Sequence, residues 1–263
     1  MIWWPIERSR DNGAGMTKLS VNVNKVALLR NTRDHSVPSV VQAARTCIEA
    51  GADGITVHPR PDQRHITPQD VHDLKALLAT DPRVEYNLEG NPFEGPYVDL
   101  VIQIQPTQAT LVPDTPNQRT SDHGWNIAED GARLAPVIQH LHEAGIRVSL
   151  FMDADPQEIA KVTQTGADRI ELYTESYATA YRSGDFDKVL ARFVEAACEA
   201  RRSNLGINAG HDLNRDNLGP LLTQIPDILE VSIGHELVAD ALWLGLAETV
   251  KAYLRAVGGR RGG

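Results

Sequence analysis

The chain of 263 residues is 41% hydrophobic and 5% aromatic, which excludes a disordered protein and suits one or at most two globular domains. Its formal net charge of −9 excludes a broad basic surface for nucleic acid or anionic lipid, so a local cluster of cations must hold any anionic ligand. The two cysteines, Cys47 and Cys198, have neither disulfide-framework nor metal-ligand spacing, and this usage is typical of the reducing cytoplasm.

The two ends of the chain differ in pattern from the rest. An apolar patch at residues 2–6 is too short for a signal peptide and far shorter than the roughly 20 residues of a membrane span. Glycine and arginine dominate the last residues. We therefore predict a flexible extension over residues 1–18, a single catalytic domain over residues 19–257 and a flexible tail over residues 258–263.

Between these ends, short apolar or β-branched runs alternate with longer segments of helical period, as expected of βα units around a parallel sheet. The predicted strands are 19–23, 54–57, 84–88, 109–112, 147–151, 169–172, 205–208 and 229–233. The predicted helices are 37–50, 68–79, 128–144, 156–165, 187–203 and 236–256. The third and seventh connections carry the weakest helical pattern.

Glycines punctuate this alternation. Gly51, Gly145, Gly166 and Gly206 follow predicted helices, at the position where a left-handed C-terminal cap favours glycine. About 250 residues are typical of an eight-stranded barrel, so the predicted fold is α/β, a (β/α)8 TIM-type barrel with additional helices. An open, doubly wound sheet is the alternative, and the lack of a GxGxxG turn after the first strand disfavours it.

Polar side chains follow most of the predicted strands, at the end where barrel enzymes carry their catalytic residues. They are Asn22, Asn24, Lys25, His58, Arg60, His65, Glu89, Glu171, Asn208, His211 and His235. Each residue alone also has a structural explanation as a solvated loop side chain. Glu171 fits that explanation least, because a charge within an apolar strand is costly without a partner. Their convergence on one rim predicts a site for acid/base chemistry.

Phosphate binding is the second predicted property of this rim. Arg33, Arg60 and His65 supply cationic donors near the first two strands, and the run at residues 232–236 opens a helix with free backbone N–H groups. The polar stretch 113–124 is predicted to be either a lid over a bound substrate or a surface loop. No metal or redox-cofactor motif occurs, so neither is predicted. Trp243 and Leu244 are assigned to a helix core.

Four motifs in this order resemble the pyridoxine 5'-phosphate synthase family. They are GADGITVH at 51–58, RHIT at 64–67, NLE at 87–89 and NAGH at 208–211. The likeness runs from about residue 20 to residue 254. It implies a βα barrel with additional helices, often a homo-octamer, that condenses 1-deoxy-D-xylulose 5-phosphate with 3-amino-2-oxopropyl phosphate. The expected products are pyridoxine 5'-phosphate, phosphate and water, without a cofactor.

The resemblance also implies roles for individual residues. His58 and Glu89 match the general acid/base residues, His211 matches the proton donor, and Glu171 matches a further active-site carboxylate. Matches to contacts with the amino-ketone phosphate are Asn22, Arg33, Gly234 and His235. Matches to contacts with the deoxyxylulose phosphate are Arg60, His65 and Thr120.

Two positions depart from the family pattern. Asn24 and Lys25 stand where many members carry Asp-His, and we expect Lys25 to hold a phosphate or hydroxyl rather than to shuttle protons. Asp212 stands where other members have glycine, and its carboxylate beside a phosphate needs a compensating cation. Two other functions stay open on the residues alone: a different sugar-phosphate enzyme with Lys25 as an amine nucleophile, and a non-catalytic sensor of a phosphorylated ligand.

Overall fold

The computed structural model describes residues 16–116 and 118–258, so most of the predicted extension 1–18 and tail 258–263 lies outside the described residues. The strands are β1 (Lys18–Asn22), β2 (Gly54–Val57), β3 (Glu85–Gly90), β4 (Gln108–Leu111), β5 (Arg147–Met152), β6 (Arg169–Tyr173), β7 (Gly206–Gly210) and β8 (Ile228–Ile233). Each predicted strand is present, with ends that differ by one or two residues. β1 begins inside the predicted extension, at Lys18.

The helices are α1 (Asn24–Arg30), α2 (Val40–Glu49), α3 (Pro68–Leu78), α4 (Tyr97–Ile104), α5 (Ile127–Glu143), α6 (Pro156–Lys161), α7 (Glu175–Ser183), α8 (Asp187–Arg202), α9 (Leu218–Gln224), α10 (His235–Leu244) and α11 (Leu246–Ala256). A 3-10 turn, Val162–Thr165, continues α6. The prediction missed α1, α4, α7 and α9, which are short and lack a long amphipathic repeat.

The eight strands form a closed parallel barrel in sequence order, and β8 pairs with β1. Ser20 of β1 lies opposite both Gly54 of β2 and Ser232 of β8. This register confirms the predicted (β/α)8 barrel and places all the carboxyl ends on one rim. No helix of the described residues has the length and apolar content that crossing a bilayer requires.

The interior of the barrel is polar, whereas the layer between barrel and helices is apolar. Ser20 Oγ lies 2.7 Å from Thr56 Oγ1, and Thr110 Oγ1 donates to Asn87 Oδ1 at 3.0 Å. Asn208 Nδ2 reaches Gln108 Oε1 across the barrel at 3.4 Å. Alternate strand residues such as Leu19, Ile55 and Leu88 are fully buried in the apolar layer. Successive residues of each strand point to opposite faces of the barrel wall. One set forms the hydrogen-bonded centre, and the other set forms the hydrophobic core beneath the helices.

Two predicted details are wrong. The predicted helix 236–256 is broken at Gly245 (φ 77°), so it forms α10 and α11. The last turn of α10 therefore leaves the packed layer, and Trp243 is 86% exposed instead of lying in a core. Gly206 is the first residue of β7, and the left-handed residue after α8 is Asn204 (φ 55°). The left-handed caps at Gly51, Gly145 and Gly166 are confirmed, with φ of 105°, 77° and 82°.

Candidate active site

A cavity of about 530 Å³ opens at the carboxyl ends of the strands. The predicted site residues that line it are Asn22, Asn24, Lys25, His58, Arg60, His65, Glu89, Thr120, Glu171, His211, Asp212, Gly234 and His235. They lie on β1, β3 and β6 and in the connections that follow β1, β2, β4, β7 and β8. The short sequence distance from each strand to its polar residue explains this convergence, because parallel strands in register end on the same rim.

Arg33 and Asn208 are the predicted residues that the fold does not bring to this cavity, and Asn208 instead contacts Gln108 inside the barrel. α1 ends at Arg30, and the chain turns outward over the next residues. Arg33 is exposed, and its guanidinium donates to the carbonyl of Thr32 at 3.2 Å. Within this chain its proposed contact with a phosphate therefore lacks a geometric basis.

His58 and Glu89, the predicted acid/base residues, lie close together in the lining of the cavity. His58 Nδ1 lies 3.8 Å from Glu89 Oε2, and Asn22 Nδ2 donates to the same oxygen at 3.4 Å. Asn24 Oδ1 accepts from the backbone N–H of His58 at 2.9 Å. The polar residues after β1 therefore fix both members of the pair.

Both members of this pair favour their neutral forms. Burial, together with the nearby charge of Asp114, raises the pKa of Glu89 to about 8. Burial and the charge of Arg60 hold the pKa of His58 well below its ordinary range. Near neutral pH, the contact is therefore a carboxylic acid beside a neutral imidazole rather than an ion pair. Such a pair can donate a proton from one member and accept one on the other.

Glu171 lies on β6 and is 3% exposed. Its Oε2 has no hydrogen-bond partner among the residues that the structure describes. Burial and the neighbouring Glu89 raise the pKa of Glu171 well above its ordinary value, so the carboxyl is protonated. A Cβ at Gly210 would lie 2.2 Å from Glu171 Oε1, and the glycine of the NAGH motif thus makes room for this side chain.

His211 lies above Glu171, against two aromatic rings. Its ring centroid is 5.0 Å from that of Tyr173 and 5.8 Å from that of Phe151. The residue has a left-handed backbone (φ 83°), which aims the imidazole into the cavity wall. Burial lowers the pKa of His211 against the opposing charges of Asp212 and Asp114. The imidazole is therefore available as a neutral group that can take up and return a proton.

The mouth of the cavity carries a cluster of cations in an otherwise acidic chain. Its members are Lys25, Arg60, Arg64 and Arg119. This local cluster is the electrostatic feature that an anionic ligand requires of a protein with net charge −9. His65 lies among them, and burial together with Arg60 lowers its pKa to about 4. His65 is thus a neutral hydrogen-bonding group rather than a further cation.

The two departures from the family pattern meet at this mouth. Lys25 and Asp212 both line the cavity, and the Asp212 charge counteracts the lowering of the Lys25 pKa by burial and by Arg119. Lys25 and Asp212 therefore interact electrostatically within the cavity. Asp212 has a left-handed backbone (φ 56°), which an Asp tolerates better than most residues.

Several cavity residues were missed by the sequence prediction. They are Leu28, Arg64, Arg119, Ser121, Tyr173 and Glu175. Tyr173 could have been predicted from the sequence, because it follows Glu171 by two positions and so faces the same side of β6. Arg64, Arg119 and Ser121 lie in irregular loops, where no periodicity indicates the direction of a side chain.

The stretch 113–124 runs over the cavity rather than away from it. Arg119, Thr120 and Ser121 line the cavity, and Arg64 donates to the carbonyls of Pro116 and Gln118 at 2.9 and 2.8 Å. Of the two predicted alternatives, a covering loop and a surface loop, this placement favours the covering loop.

Comparison with known proteins identifies the family. A family model described as "Pyridoxal phosphate biosynthesis protein PdxJ" matches residues 19–259. A pyridoxine 5'-phosphate synthase of Albidiferax ferrireducens is 54% identical over 246 residues, which are 92% of this chain and 97% of that protein. One of Xanthomonas campestris pv. campestris is 55% identical over 249 residues, with the same coverage of both chains.

Solved structures with low sequence identity share the barrel. The 3-keto-L-gulonate-6-phosphate decarboxylase of Vibrio cholerae is 10% identical, with a TM-score of 0.63 over 93% of this chain and 98% of that one. Tryptophan synthase of M. tuberculosis is 13% identical, with a TM-score of 0.62 over 95% of each chain. At this identity the likeness shows the fold alone.

Proposed function

The chain belongs to the PdxJ family of pyridoxine 5'-phosphate synthases, enzymes of vitamin B6 biosynthesis, and from this we propose its substrates and the roles of its residues. It condenses 1-deoxy-D-xylulose 5-phosphate with 3-amino-2-oxopropyl phosphate, and it releases pyridoxine 5'-phosphate, phosphate and water. The observation that carries the proposal is the neutral His58–Glu89 pair, 3.8 Å apart, beneath a cation-lined mouth.

The reaction needs several proton transfers in one place. The amine of one substrate attacks the ketone of the other, the carbinolamine loses water to give a Schiff base, phosphate leaves, and a carbon–carbon bond closes the ring. Protonated Glu89 can supply a proton to departing water, and neutral His58 can take one from the attacking amine. Groups of different pKa around one cavity suit such a sequence of steps.

Glu171 and His211 serve the later steps in this proposal. Protonated Glu171 donates a hydrogen bond to an oxygen that develops negative charge, because its unpartnered carboxyl oxygen is aimed into the cavity wall. Neutral His211 accepts a proton from the substrate in one step and returns it to the leaving group in a later one. Glu171 packs against Gly210, and His211 is the next residue of the NAGH motif, so the motif sets both side chains at the same end of the barrel.

Two separate phosphate sites hold the substrates in register. Arg60, His65 and Thr120 take the deoxyxylulose phosphate on one side of the cavity. Asn22, Gly234 and His235 take the amino-ketone phosphate on the other, where the N-terminus of α10 presents backbone N–H groups. Holding both substrates converts a bimolecular encounter into a reaction between adjacent groups. Arg33 has no place in this arrangement within one chain.

Asn24, Lys25 and Asp212 keep the deoxyxylulose substrate in place. Asn24 acts through the backbone of His58, and Lys25 presents a cation to a phosphate or hydroxyl oxygen. The Asp212 carboxylate keeps Lys25 charged against burial and the nearby arginines. The change from Asp-His to Asn24 and Lys25 thus alters a contact without removing the acid/base pair.

The experiment that tests the reaction mixes purified, chelator-treated protein with both substrates and follows phosphate release and the mass of pyridoxine 5'-phosphate. Equal amounts of the two products support the proposal, and neither product should form when one substrate is omitted. Binding of each substrate without any product would show that a different phosphorylated ketone is the true partner. A borohydride-trapped adduct on Lys25 would show instead that this amine is the nucleophile.

We further propose that residues 19–257 act as one catalytic domain that self-associates, as an octamer by family resemblance, in the cytoplasm. The free thiols of Cys47 and Cys198 support a reducing compartment. Self-association is supported by the exposed apolar side chains of the neighbouring helices α1 and α10, which are Leu28, Leu29, Leu242, Trp243 and Leu244.

Light scattering coupled to size-exclusion chromatography tests this association. Trp243→Glu should reduce the oligomeric mass, because it places a charge in the centre of the exposed apolar side chains. The matched control, Ala132→Glu on the exposed side of α5, should leave the mass unchanged. A monomeric wild-type protein would contradict self-association.

A further inference from the structure

Asp114 follows β4 and is one of the most buried carboxylates of the chain, with 4% exposure. It does not line the cavity, and neither its type nor its position marked it as a site residue. Its Oδ2 accepts from the guanidinium of Arg60, in a contact in which both side chains are at least 95% buried. A buried, charged hydrogen bond of this kind fixes the direction of the arginine.

The same oxygen also anchors the covering loop. Ser121 Oγ donates to Asp114 Oδ2 at 2.8 Å, so one carboxylate oxygen joins Arg60 to the far end of the stretch 113–124. Thr120, the neighbour of Ser121, lines the cavity. Two of the groups proposed to hold the deoxyxylulose phosphate, Arg60 and Thr120, therefore depend on one carboxylate that touches neither the substrate nor the cavity.

A third contact joins the backbone of Asp114 to the segment that follows β3. Asn91 Nδ2 donates to the backbone carbonyl of Asp114 at 2.8 Å, and Asn91 follows Glu89 by two residues. Asp114 Oδ1 is buried and has no partner among the described residues. The Asp114 carboxylate raises the pKa of Glu89 in addition to the effect of burial, and the charge of its partner Arg60 opposes it.

We propose that Asp114 is a positioning residue, which orients Arg60 and Thr120 toward the deoxyxylulose phosphate and sets a buried carboxylate beside the His58–Glu89 pair. The groups that face Glu89 from the surrounding elements are His58, Arg60, Tyr97, Asp114, Glu171 and Glu230. Among these charges, that of Asp114 has the largest effect on the pKa of Glu89. The proposal rests on the proposed substrates, and it assigns two separable effects to one side chain.

The test compares Asp114→Asn with Ser121→Ala and Asp114→Glu in steady-state kinetics over a range of pH. Asp114→Asn should raise KM for 1-deoxy-D-xylulose 5-phosphate about tenfold, because Arg60 loses a charged hydrogen bond. It should also move the pH limb of Glu89 to lower pH, because the neighbouring negative charge is gone. Ser121→Ala should raise KM by a smaller factor without moving the limb, and Asp114→Glu should leave the limb in place.

A purely structural role would lower stability but would not move the pH limb. Asp81→Asn, which alters a carboxylate remote from the cavity, is the matched control and should leave both KM and the limb unchanged. An unchanged or lower KM in Asp114→Asn, or an unmoved limb, overturns the proposal. If Asp114→Asn does not fold, Asp114→Glu decides, since displacing the carboxylate by one methylene must still raise KM.

Calorimetric binding of 1-deoxy-D-xylulose 5-phosphate to the wild-type protein separates this inference from the proposed function. Absence of binding and turnover would show that the substrate is wrong. Normal binding and turnover, together with wild-type behaviour of Asp114→Asn, would show that only the assignment of Asp114 is wrong.

Discussion

Glu85 and Glu89 stand four residues apart on β3 and face the same side. Their pKa values nevertheless shift in opposite directions, because they lie at opposite ends of the barrel. At the amino end, Glu85 contacts Lys18 and Arg147, whose charges outweigh burial and lower its pKa to about 2. At the carboxyl end, burial and Asp114 raise the pKa of Glu89 to about 8. The amino end thus holds a paired anion that closes the barrel, and the carboxyl end holds a neutral acid.

The difference between the pKa values of Glu85 and Glu89 follows from the positions of the neighbouring cations. Near Glu89, the nearest cation, Arg60, already has a carboxylate partner in Asp114, so the compensation that Glu85 receives is lacking. Desolvation then decides the protonation state. Carboxylates on one strand face can therefore have structural or catalytic roles according to the cations that the neighbouring strands supply.

Replacing Glu89 and Glu85 in turn with glutamine should separate the proposed catalytic role of Glu89 from the structural role of Glu85 most strongly. We expect Glu89→Gln to lower kcat by roughly 10²- to 10⁴-fold with little change in Tm, because a general acid is lost from a site that stays neutral. Glu85→Gln should lower the free energy of unfolding by about 1–3 kcal/mol with kcat nearly unchanged, since two partly exposed charged contacts weaken. Product formation and thermal unfolding of both variants measure this. A fully active Glu89→Gln would contradict the assignment.

A second variant tests the carboxyl end through its packing. Gly210→Ala would place a Cβ 2.2 Å from Glu171 Oε1, so we expect Glu171 to be displaced and kcat to fall about tenfold or more. Overpacking should also cost about 1–3 kcal/mol of stability. Gly219→Ala in α9 is the matched control, because its Cβ meets nothing within 4 Å, and it should be neutral or slightly stabilising. Equal behaviour of the two variants would refute the close contact.

The pH dependence of the rate sharpens the comparison between the two carboxylates. If protonated Glu89 is the acid, kcat should fall as the pH rises through about 8, where that carboxyl loses its proton. Glu85→Gln should keep this limb in place, because Glu85 acts at the opposite end of the barrel. Initial rates from about pH 4 to about pH 10 provide the measurement. A limb near the ordinary pKa of glutamate would show that Glu89 is ionised at neutral pH.

The smallest expected effect concerns Glu230, a buried carboxyl at the amino end. Burial and the charge of Glu85 raise its pKa to about 7, so its contribution to stability is present at low pH and is lost as the pH rises through about 7. Glutamine does not titrate. Relative to wild type, Glu230→Gln should therefore gain in Tm between pH 5 and pH 9. A constant or opposite difference would show that the nearby arginines keep Glu230 ionised.

Much of the fold was predictable because its signal is local. The apolar period of β1 to β8 and the glycine caps at Gly51, Gly145 and Gly166 follow from propensities within a few residues. The break at Gly245 was not predictable, nor was Asn204 as the left-handed residue after α8, because packing of the following element decides which residue adopts that conformation. The exposure of Trp243 is a consequence of the break at Gly245.

The sequence by itself determined the barrel, the rim of the candidate site and the presence there of His58, Glu89, Glu171 and His211. Strand ends and motif order are properties of the linear chain, and parallel pairing then brings those ends together. Only the tertiary structure decided which carboxylates are neutral, that Arg33 lies outside the cavity and that Asp114 holds Arg60. Burial and charge pairing depend on residues far apart in sequence, and no local pattern records them.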